Sequence, residues 1–342
     1  MRLILGQPEQ REIVHYASGG LRVSSLHHEI FVDGPGVQRR LRFPSSPLDL
    51  ALGMTRLARR ALRLDKCNVV PIGDDLVAIR QGQVFHWSAA EGTFSRTLQL
   101  RNCRCVLHQS VAVVDGRELF FGEYGRNPNR REVPVYRSLD GGRSWRQVFA
   151  FPAGRARHVH GCQWDPVEER VWVFTGDLDG ECQVLCADRE FRHVEWIGDG
   201  RQAFRACSAF FEEDAVHWIM DSQLEGSYHV RLDRKRRTVE KGALFPGPVW
   251  YIKRLADGYY LAATAHEVGP GVRDGYAHLL VSRDLDRWED VHRFVPDDLP
   301  HQVFKDGVIG FADGEQTSQG FYLFFEAIRG LDGRATLCRL EP

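Results

Sequence analysis

The sequence lacks any long hydrophobic run. No stretch of the 342 residues approaches the ~18 consecutive apolar residues that a membrane-spanning helix requires. The first ten residues, MRLILGQPEQ, contain one arginine and four apolar residues before Gln7 and Pro8, which is too short for the hydrophobic region of a secretory signal. We therefore expect no membrane span and a cytoplasmic location.

An excess of charge of one sign is also missing. Lys and Arg together number 45 and Asp and Glu 46, which gives a formal net charge of -1. This balance excludes a global electrostatic attraction to nucleic acid or to an acidic membrane surface. Partners must therefore be inferred from local clusters of charge, and no nucleic-acid partner is expected.

Cysteine is present but lacks the paired spacing of a structural zinc site. The chain has eight cysteines, and neither Cys103-x-Cys105 nor Cys182-x3-Cys186 has a second matching pair. In a cytoplasmic protein we expect reduced thiols, most of them buried as small apolar side chains.

What the sequence does contain is a succession of short β-rich segments. From about residue 66, apolar runs such as VAVV, ELFFGEY, VWVFTGD and FYLFFEA alternate with Gly, Asp, Asn and Pro, which predicts an all-β fold. Residues 46–64 predict a helix, because Ser46 can cap its N-terminus, Pro47 suits the first helical position and Asp49 lies in the first turn. We interpret this segment as an amphipathic helical insertion in a single β domain that spans residues 1–342.

The β segments form a repeat of four strands. Each copy has a first strand, an apolar second strand that ends in an acidic residue, and third and fourth strands joined by a tight hairpin. Seven copies give about 49 residues per unit, so we predict a seven-bladed β-propeller, with six blades as the alternative. The last copy shows three clear strands, and we expect Arg2–Leu5 to supply its fourth. The copies lie at 10–44, 66–100, 105–152, 158–198, 205–246, 248–294 and 307–342.

Residues 138–145 form the most specific motif in the chain, SLDGGRSW. It matches the pattern S-x-D-x-G-x-[ST]-W, the Asp box (BNR repeat) of sialidase-like β-propellers, and the chain resembles bacterial and archaeal members of that group from about Cys67 onward. A shorter copy occupies residues 282–288, and a weaker one lies at 86–94. The resemblance implies that the motif stabilises the hairpin between third and fourth strands, on the face opposite the active site, with Trp145 packed between blades.

The resemblance also implies a carbohydrate-active enzyme of the glycosyl hydrolase kind. Sialidases carry an early Arg-Ile-Pro element, a tyrosine–glutamate pair and three arginines, whereas this chain has Val70, Pro71 and Ile72 in succession. We therefore do not expect sialidase activity, and no catalytic residue can be transferred from that family.

The repeat predicts where catalytic groups lie, since the ends of second strands and the starts of first strands share one face of a propeller. We expect the catalytic acid and base among the acidic residues that end second strands, together with His160, and substrate binding by polar residues of the same face. The densest cluster is expected where Glu123 and Asp177 meet Arg157, His158 and His160. A structural alternative is that the acids form turns and that neighbouring cations neutralise them. The acids are Glu123, Asp177, Asp221, Glu267 and Glu326, and the substrate-binding residues are Tyr124, Arg157, His158, Arg205, Lys253, His108, His301 and Arg329.

Histidines allow a divalent metal site as an alternative. His108, His160, His266 and His301 can converge on a metal, with Gln302 nearby, as three-His-plus-Gln sites do in some propeller lyases. Their separations form no local ligand motif, so we expect salt-bridged or hydrogen-bonded histidines and no cofactor. Residues 177–181, DLDGE, match part of a calcium loop but lack its full twelve-residue pattern, which favours a solvated turn.

One face of the predicted helix is basic. Arg56, Arg59, Arg60 and Arg63 follow the i, i+3, i+4, i+7 spacing, opposite an apolar side. We expect a solvated arginine face on a helix packed against the propeller. The alternative is docking on an anionic glycan, a lipid phosphate or an acidic protein.

These observations predict a glycoside hydrolase that cleaves a glycosidic bond in an oligo- or polysaccharide with paired carboxylates. A polysaccharide lyase on a uronic-acid glycan is the nearest enzymatic alternative. A non-catalytic glycan- or protein-binding propeller is the alternative from another class.

Overall fold

The computed structural model describes residues 1–342 and consists mostly of β-strands. It has 28 strands in seven four-stranded sheets, with three short α-helices and one 3-10 helix. The chain is therefore a seven-bladed β-propeller, which confirms the predicted fold and excludes the six-bladed alternative. None of its helices is long and apolar enough to cross a membrane.

The elements follow one another along the chain as follows. The first part contains β1 (Arg2–Leu5), β2 (Ile13–Ser18), β3 (Leu21–Leu26), β4 (Glu29–Gly34), β5 (Val37–Arg42), α1 (Pro47–Leu52), α2 (Arg56–Leu62), β6 (Cys67–Ile72), β7 (Asp75–Arg80), β8 (Gln83–Ser88) and β9 (Thr93–Gln99). The middle part contains β10 (Ala112–Val114), β11 (Glu118–Gly122), β12 (Val133–Ser138), β13 (Arg146–Phe151), β14 (His158–Asp165), β15 (Arg170–Gly176), β16 (Val184–Ala187), β17 (Val194–Trp196), the 3-10 helix (Gln202–Phe204), β18 (Ala209–Phe211), β19 (Ala215–Ile219), β20 (Tyr228–Asp233) and β21 (Val239–Leu244). The last part contains β22 (Val249–Arg254), β23 (Tyr260–Thr264), β24 (Ala277–Ser282), β25 (Glu289–Phe294), α3 (His301–Phe304), β26 (Val308–Phe311), β27 (Phe321–Glu326) and β28 (Arg334–Glu341).

In six of the seven blades, four consecutive strands are hydrogen-bonded in chain order, from the first blade (β2 to β5) to the sixth (β22 to β25). Each blade falls within one of the predicted repeat copies. The residues group into two compact units. One comprises Met1–Val69, Tyr251–Val268 and Val272–Pro342, and the other comprises Val70–Trp250 and Gly269–Gly271.

In the first unit, the seventh blade takes its outermost strand from the other end of the chain. Its order is β1-β28-β27-β26. Strands β1 and β28 are antiparallel, with Arg2 opposite Glu341 and Leu5 opposite Cys338. The prediction that Arg2–Leu5 completes the last blade is confirmed.

The helical insertion of the first unit consists of two short helices, so the prediction of one helix over 46–64 is wrong. Ser46 caps α1 as expected, because its Oγ accepts a hydrogen bond from the backbone N–H of Asp49 at 3.1 Å. Gly53 ends α1, and a Cβ at this position would lie 2.0 Å from Nε2 of His27. Thr55 then caps a new helix, since its Oγ1 accepts from the N–H of Ala58 at 3.2 Å.

The arginines of this insertion face the protein rather than solvent, which corrects the prediction of a solvated basic face. Arg59 and Arg60 are buried. Arg56 contacts Asp65 at 2.6 Å and Asp332 at 2.9 Å, and it shares Glu12 with Arg59. Arg60 contacts Asp297 at 2.6 Å, and Arg63 lies 4.0 Å from Glu326. The basic spacing therefore anchors the insertion through ion pairs within its own unit.

In the second unit, residues 138–145 form the hairpin between β12 and β13, the third and fourth strands of the third blade, as predicted. Oγ of Ser138 accepts the N–H of Gly142 at 2.8 Å, and Oδ1 of Asp140 accepts the N–H of Ser144 at 2.9 Å. Gly142 has a φ of 87°, which L side chains rarely adopt. The Trp145 ring lies 4.9 Å from that of Phe121, so it packs on the blade.

The register of the third blade separates this hairpin from the end of its second strand. Ser138 pairs with Leu119 at one end of the β11–β12 ladder, and Val135 pairs with Gly122 at the other. Glu123 follows Gly122 and thus lies at the opposite end of the blade from Asp140. This arrangement agrees with the prediction for the third blade.

The apolar core beside the candidate site joins the third and fourth blades. It includes Phe120, Val135, Phe151, Val159 and Val173, all fully or almost fully buried. This core thus fixes β14 and β15, which carry the site residues, against the preceding blade.

All eight cysteines of the chain are free, and seven of them are buried.

Candidate functional site

The candidate site lies in the second unit, where β14 begins and β15 ends. Arg157 and His158 stand at the start of β14, and Asp177 follows the last residue of β15. The ladder between these strands skips His160, so a bulge brings both imidazoles toward Asp177. Gly176 is required here, because a Cβ would meet Cε1 of His160 at 2.5 Å.

Four nitrogen-bearing side chains surround the carboxylate of Asp177. Oδ2 accepts a hydrogen bond from Nη1 of Arg157 at 2.5 Å. Oδ1 lies 3.3 Å from Nε2 of His160, 3.4 Å from Nε2 of His158 and 3.6 Å from Nη2 of Arg205. Burial opposes ionisation, but the neighbouring imidazoles outweigh it and hold the pKa of Asp177 well below its usual range.

Backbone carbonyls set the orientation of both histidines. Nδ1 of His158 donates to the carbonyl oxygen of Gly125 at 2.7 Å, and Nδ1 of His160 lies 3.2 Å from the carbonyl oxygen of Ala206. The two Nε2 atoms then face each other at 3.1 Å. Burial lowers the pKa of His158, which favours its neutral ring.

A second carboxyl group lies behind this cluster. Asp221 follows β19 of the fifth blade, and its Oδ2 is 3.4 Å from Nε of Arg205, 3.6 Å from Nδ1 of His160 and 3.5 Å from Sγ of Cys207. Burial raises the pKa of Asp221. Asp177 and Asp221 therefore contact the same two side chains, His160 and Arg205, but lie in different electrostatic environments.

Access to the cluster is through Arg157 and Asp177. Their side chains are 33% and 17% exposed, whereas those of His158, His160 and Asp221 are exposed by 6% or less. A ligand from solvent would therefore meet Arg157 and Asp177 first. The half-buried Tyr124 stacks on His158 with ring centroids 4.2 Å apart.

The structure thus brings together seven of the predicted site residues within the second unit. Two further members were not predicted: Cys207, and Gln223, whose Oε1 accepts from Nη1 of Arg205 at 2.7 Å. Neither residue is charged or part of a motif. Their only sequence signal is position, because Cys207 precedes β18, the first strand of the fifth blade, and Gln223 follows β19, its second strand. The seven are Tyr124, Arg157, His158, His160, Asp177, Arg205 and Asp221.

Glu123 is held by a neighbouring loop instead. Its carboxylate accepts the backbone N–H groups of Arg101 at 2.8 Å and Asn102 at 3.0 Å, as well as the hydroxyl of Tyr136 at 3.1 Å. These bonds satisfy both oxygens and give Glu123 a structural task in its own blade.

The remaining predicted residues of the first unit also have partners there. Glu326 forms an ion pair with Lys66, and Nζ of the buried Lys253 donates to the carbonyl oxygens of Ala312 and Gly314. His301 lies 3.6 Å from Asp306, and Arg329 contacts Asp298 at 2.7 Å. Glu267 and His266 are half-buried, as is His108 in the second unit.

Two groups of side chains offer three converging metal-ligand atoms. They are His158, His160 and Asp177, and His160, Cys207 and Asp221. Of the four histidines predicted as metal ligands, only His160 belongs to such a group. The sequence therefore indicated one ligand and missed its neighbours, although the His-x-His spacing on β14 was visible.

Comparison with known proteins places the chain among β-propellers. No protein-family model matches the sequence, and no curated protein does either. Among solved structures, YCF48 bound to D1 peptide is 10% identical with a TM-score of 0.59, covering 100% of this chain and 98% of that one. Oligogalacturonate lyase in complex with manganese is 9% identical with a TM-score of 0.57, covering 100% and 97%.

A longer protein shares the fold as well. The extracellular domain of BT4673 from B. thetaiotaomicron is 12% identical with a TM-score of 0.58, and the match covers 98% of this chain. The chain spans only 39% of that protein's length. At these identities the likeness shows the propeller fold alone.

Proposed function

We propose that the protein is a carbohydrate-active enzyme that cleaves a glycosidic bond in an oligo- or polysaccharide. The observation that carries this proposal is the pair of carboxyl groups, Asp177 and Asp221, contacted by the same His160 and Arg205. Two acidic groups in one site, one ionised and one able to hold a proton, are what glycoside cleavage requires. The resemblance of residues 138–145 to an Asp box supports a glycan as the substrate.

The two carboxyl groups have different tasks in this proposal. Asp177 is reached from solvent and is the group that acts on the substrate or on an attacking water molecule. Asp221 is buried, so it acts through His160, whose ring lies between the two carboxyl groups and can carry a proton from one side to the other. Arg157, the most exposed member, binds polar or anionic groups of the sugar.

A panel of bacterial polysaccharides, analysed by product mass, tests this function. Hydrolysis adds the mass of one water molecule to the products. Asp177→Asn should lower turnover at least ~100-fold, the usual lower scale for loss of acid–base catalysis. Asp188→Asn is the matched control, because Asp188 caps the hairpin at the other end of the same blade, where it accepts three backbone N–H groups.

Full activity in Asp177→Asn would contradict the proposed centre. Loss of activity in both variants would indicate a general folding defect rather than a catalytic role. Glycan binding without any cleavage would favour the non-catalytic binding propeller.

A lyase acting on a uronic-acid glycan is the second candidate. Two guanidiniums, Arg157 and Arg205, lie beside Asp177 and can neutralise a substrate carboxylate, which elimination requires. A propeller of the same fold is an oligogalacturonate lyase. Unsaturated products, which lack the added water, would decide for the lyase.

A further inference from the structure

We propose that His158, His160 and Asp177 form a binding site for one divalent transition-metal cation of the Zn²⁺ or Mn²⁺ class. The three ligand atoms are Nε2 of His158, Nε2 of His160 and Oδ1 of Asp177. They lie 3.1, 3.3 and 3.4 Å apart, almost an equilateral triangle. Ligands ~2.1 Å from a tetrahedral or octahedral ion are separated by roughly 3.0–3.5 Å.

The tautomers of the histidines leave the right atoms free for a cation. Each Nδ1 has a carbonyl oxygen next to it, of Gly125 for His158 and of Ala206 for His160, and a carbonyl can only accept. A ring that carries a single proton therefore holds it on Nδ1, and its Nε2 then presents a lone pair. In the metal-free protein the imidazoles donate to Oδ1 of Asp177, which also lies 3.6 Å from Nη2 of Arg205. A metal ion between the three ligand atoms would take the place of the imidazole protons.

The surroundings resemble the outer shell of known metal sites. Metal-binding histidines commonly donate their second N–H to a carbonyl or carboxylate, and ligating carboxylates are themselves hydrogen-bonded. Here Asp221 stands 3.6 Å from Nδ1 of His160, and Arg157 holds the other oxygen of Asp177. Asp177 would therefore bind the ion through one oxygen only, with its orientation already fixed.

The second converging group is a weaker candidate. It would use Nδ1 of His160, together with Cys207 and Asp221. That nitrogen lies beside the carbonyl oxygen of Ala206, which stabilises the protonated form and leaves no lone pair for a metal. All three of its members are also buried. The group around Asp177 has the better ligand atoms and the better access.

Two imidazoles and one carboxylate determine the kind of ion. Imidazole nitrogen suits zinc, copper, iron and nickel, and carboxylate oxygen suits manganese, whereas calcium and magnesium prefer sites made wholly of oxygen. Three protein ligands leave at least one position open, and the exposed edge of Asp177 gives access to it. This inference goes beyond the proposed function, because the site is defined without reference to any substrate. With an ion bound, Asp177 would act on water through that ion rather than directly.

The test measures binding of the metal alone. Protein stripped with a chelator is titrated with Zn²⁺ and, separately, Mn²⁺ by calorimetry, and the bound metal is counted by elemental analysis after desalting. We expect one equivalent per chain in the wild type. His158→Gln and Asp177→Asn should each weaken binding at least about 100-fold, since loss of even an outer-shell partner costs 10–100-fold.

The chain offers a matched control in a second buried histidine pair. Nδ1 of His217 and Nε2 of His229 lie 2.9 Å apart, yet this pair belongs to neither group of three converging ligands. His217→Gln should therefore leave the stoichiometry and affinity unchanged. Circular dichroism of each metal-free variant establishes that it is folded.

Less than a tenth of an equivalent bound to the wild type would overturn the proposal. Equal affinity in the wild type and in both site variants would overturn it too, because the ion would then bind elsewhere. If a variant fails to fold, Co²⁺ added to the wild type gives an independent reading, since its visible absorption reports the ligand set and should show nitrogen and oxygen ligands. No substrate is used, so the result stands whether or not a glycan is cleaved.

Discussion

A buried ion pair between the fourth and fifth blades gives a quantitative test of how the second unit is held together. Asp165, at the end of β14, is completely buried and accepts two hydrogen bonds from Arg234, at 2.6 and 3.0 Å. It also accepts Nε1–H of Trp172 at 3.2 Å and the backbone N–H of Val167 at 2.9 Å. Replacing Asp165 removes the closest carboxylate of a guanidinium that has little access to water and leaves Arg234 with Glu168 at 3.4 Å and the carbonyl oxygen of Glu212.

The size of the effect follows from that burial. The Arg234 side chain is 7% exposed, so Asp165→Leu leaves a charge that water solvates poorly. Breaking a buried pair in this way costs about 3–5 kcal/mol. Arg234→Met should cost a similar amount, because it leaves a buried carboxylate. The double variant buries no charge, so it should be much more stable than the sum of the single losses indicates.

Urea unfolding followed by circular dichroism measures the four free energies of this cycle. We expect a coupling free energy of at least about 2 kcal/mol between the two positions. If either single variant lost less than about 1 kcal/mol of unfolding free energy, the argument that the pair is effectively removed from water would be refuted. Strict additivity in the double variant would refute the argument that the charge, rather than lost packing, dominates the cost.

Three further predictions follow from other parts of the chain. Trp145→Ala should lower the free energy of unfolding by about 3 kcal/mol. The reason is that the Trp145 ring packs on Phe121 and its Nε1–H donates a hydrogen bond to Thr97. An unchanged melting temperature in calorimetry would contradict this prediction. Burial lowers the pKa of Lys253 to about 8, so between pH 8 and the ordinary lysine pKa of 10.5 the unfolded chain binds more protons than the folded one. Stability should therefore rise with pH across that window, and Lys253→Met should remove this part of the rise; identical profiles for the two proteins would be inconsistent with a desolvated ammonium. Thiol titration of denatured, unreduced protein should approach eight, since all eight cysteines are free, and two or more protected pairs would contradict it.

The blades could be predicted because their signal is local and repeated. Each one needs alternating apolar residues in its strands and turn residues at its hairpins, and both are visible in any single copy. The position of Arg2–Leu5 was also accessible, since the last copy lacked a strand and one was available at the start. The helical insertion breaks at Thr55, which caps α2, and a threonine within a helical pattern can stand either at an N-cap or in the interior of a helix.

The site was predictable in part, since position within the repeat indicated Asp177, Asp221 and the histidines of β14. Position within the repeat could not distinguish these residues from Glu123, which also follows a second strand. The difference arises from a loop about twenty residues earlier, whose backbone N–H groups at Arg101 and Asn102 point at the Glu123 carboxylate. Loop conformation of this kind is not encoded in a residue pattern.

The pairing of β1 with β28 has a consequence for the order in which the protein can fold. Residues 2–5 are synthesised about 330 residues before their partners at 338–341. The seventh blade therefore has a larger sequence separation between paired strands than any of the other six blades, and closing it carries the greatest loop-closure entropy. Until then β1 is an unpaired strand that can be captured by another edge, so slow elongation or truncation near β28 should promote misassembly through the start of the chain.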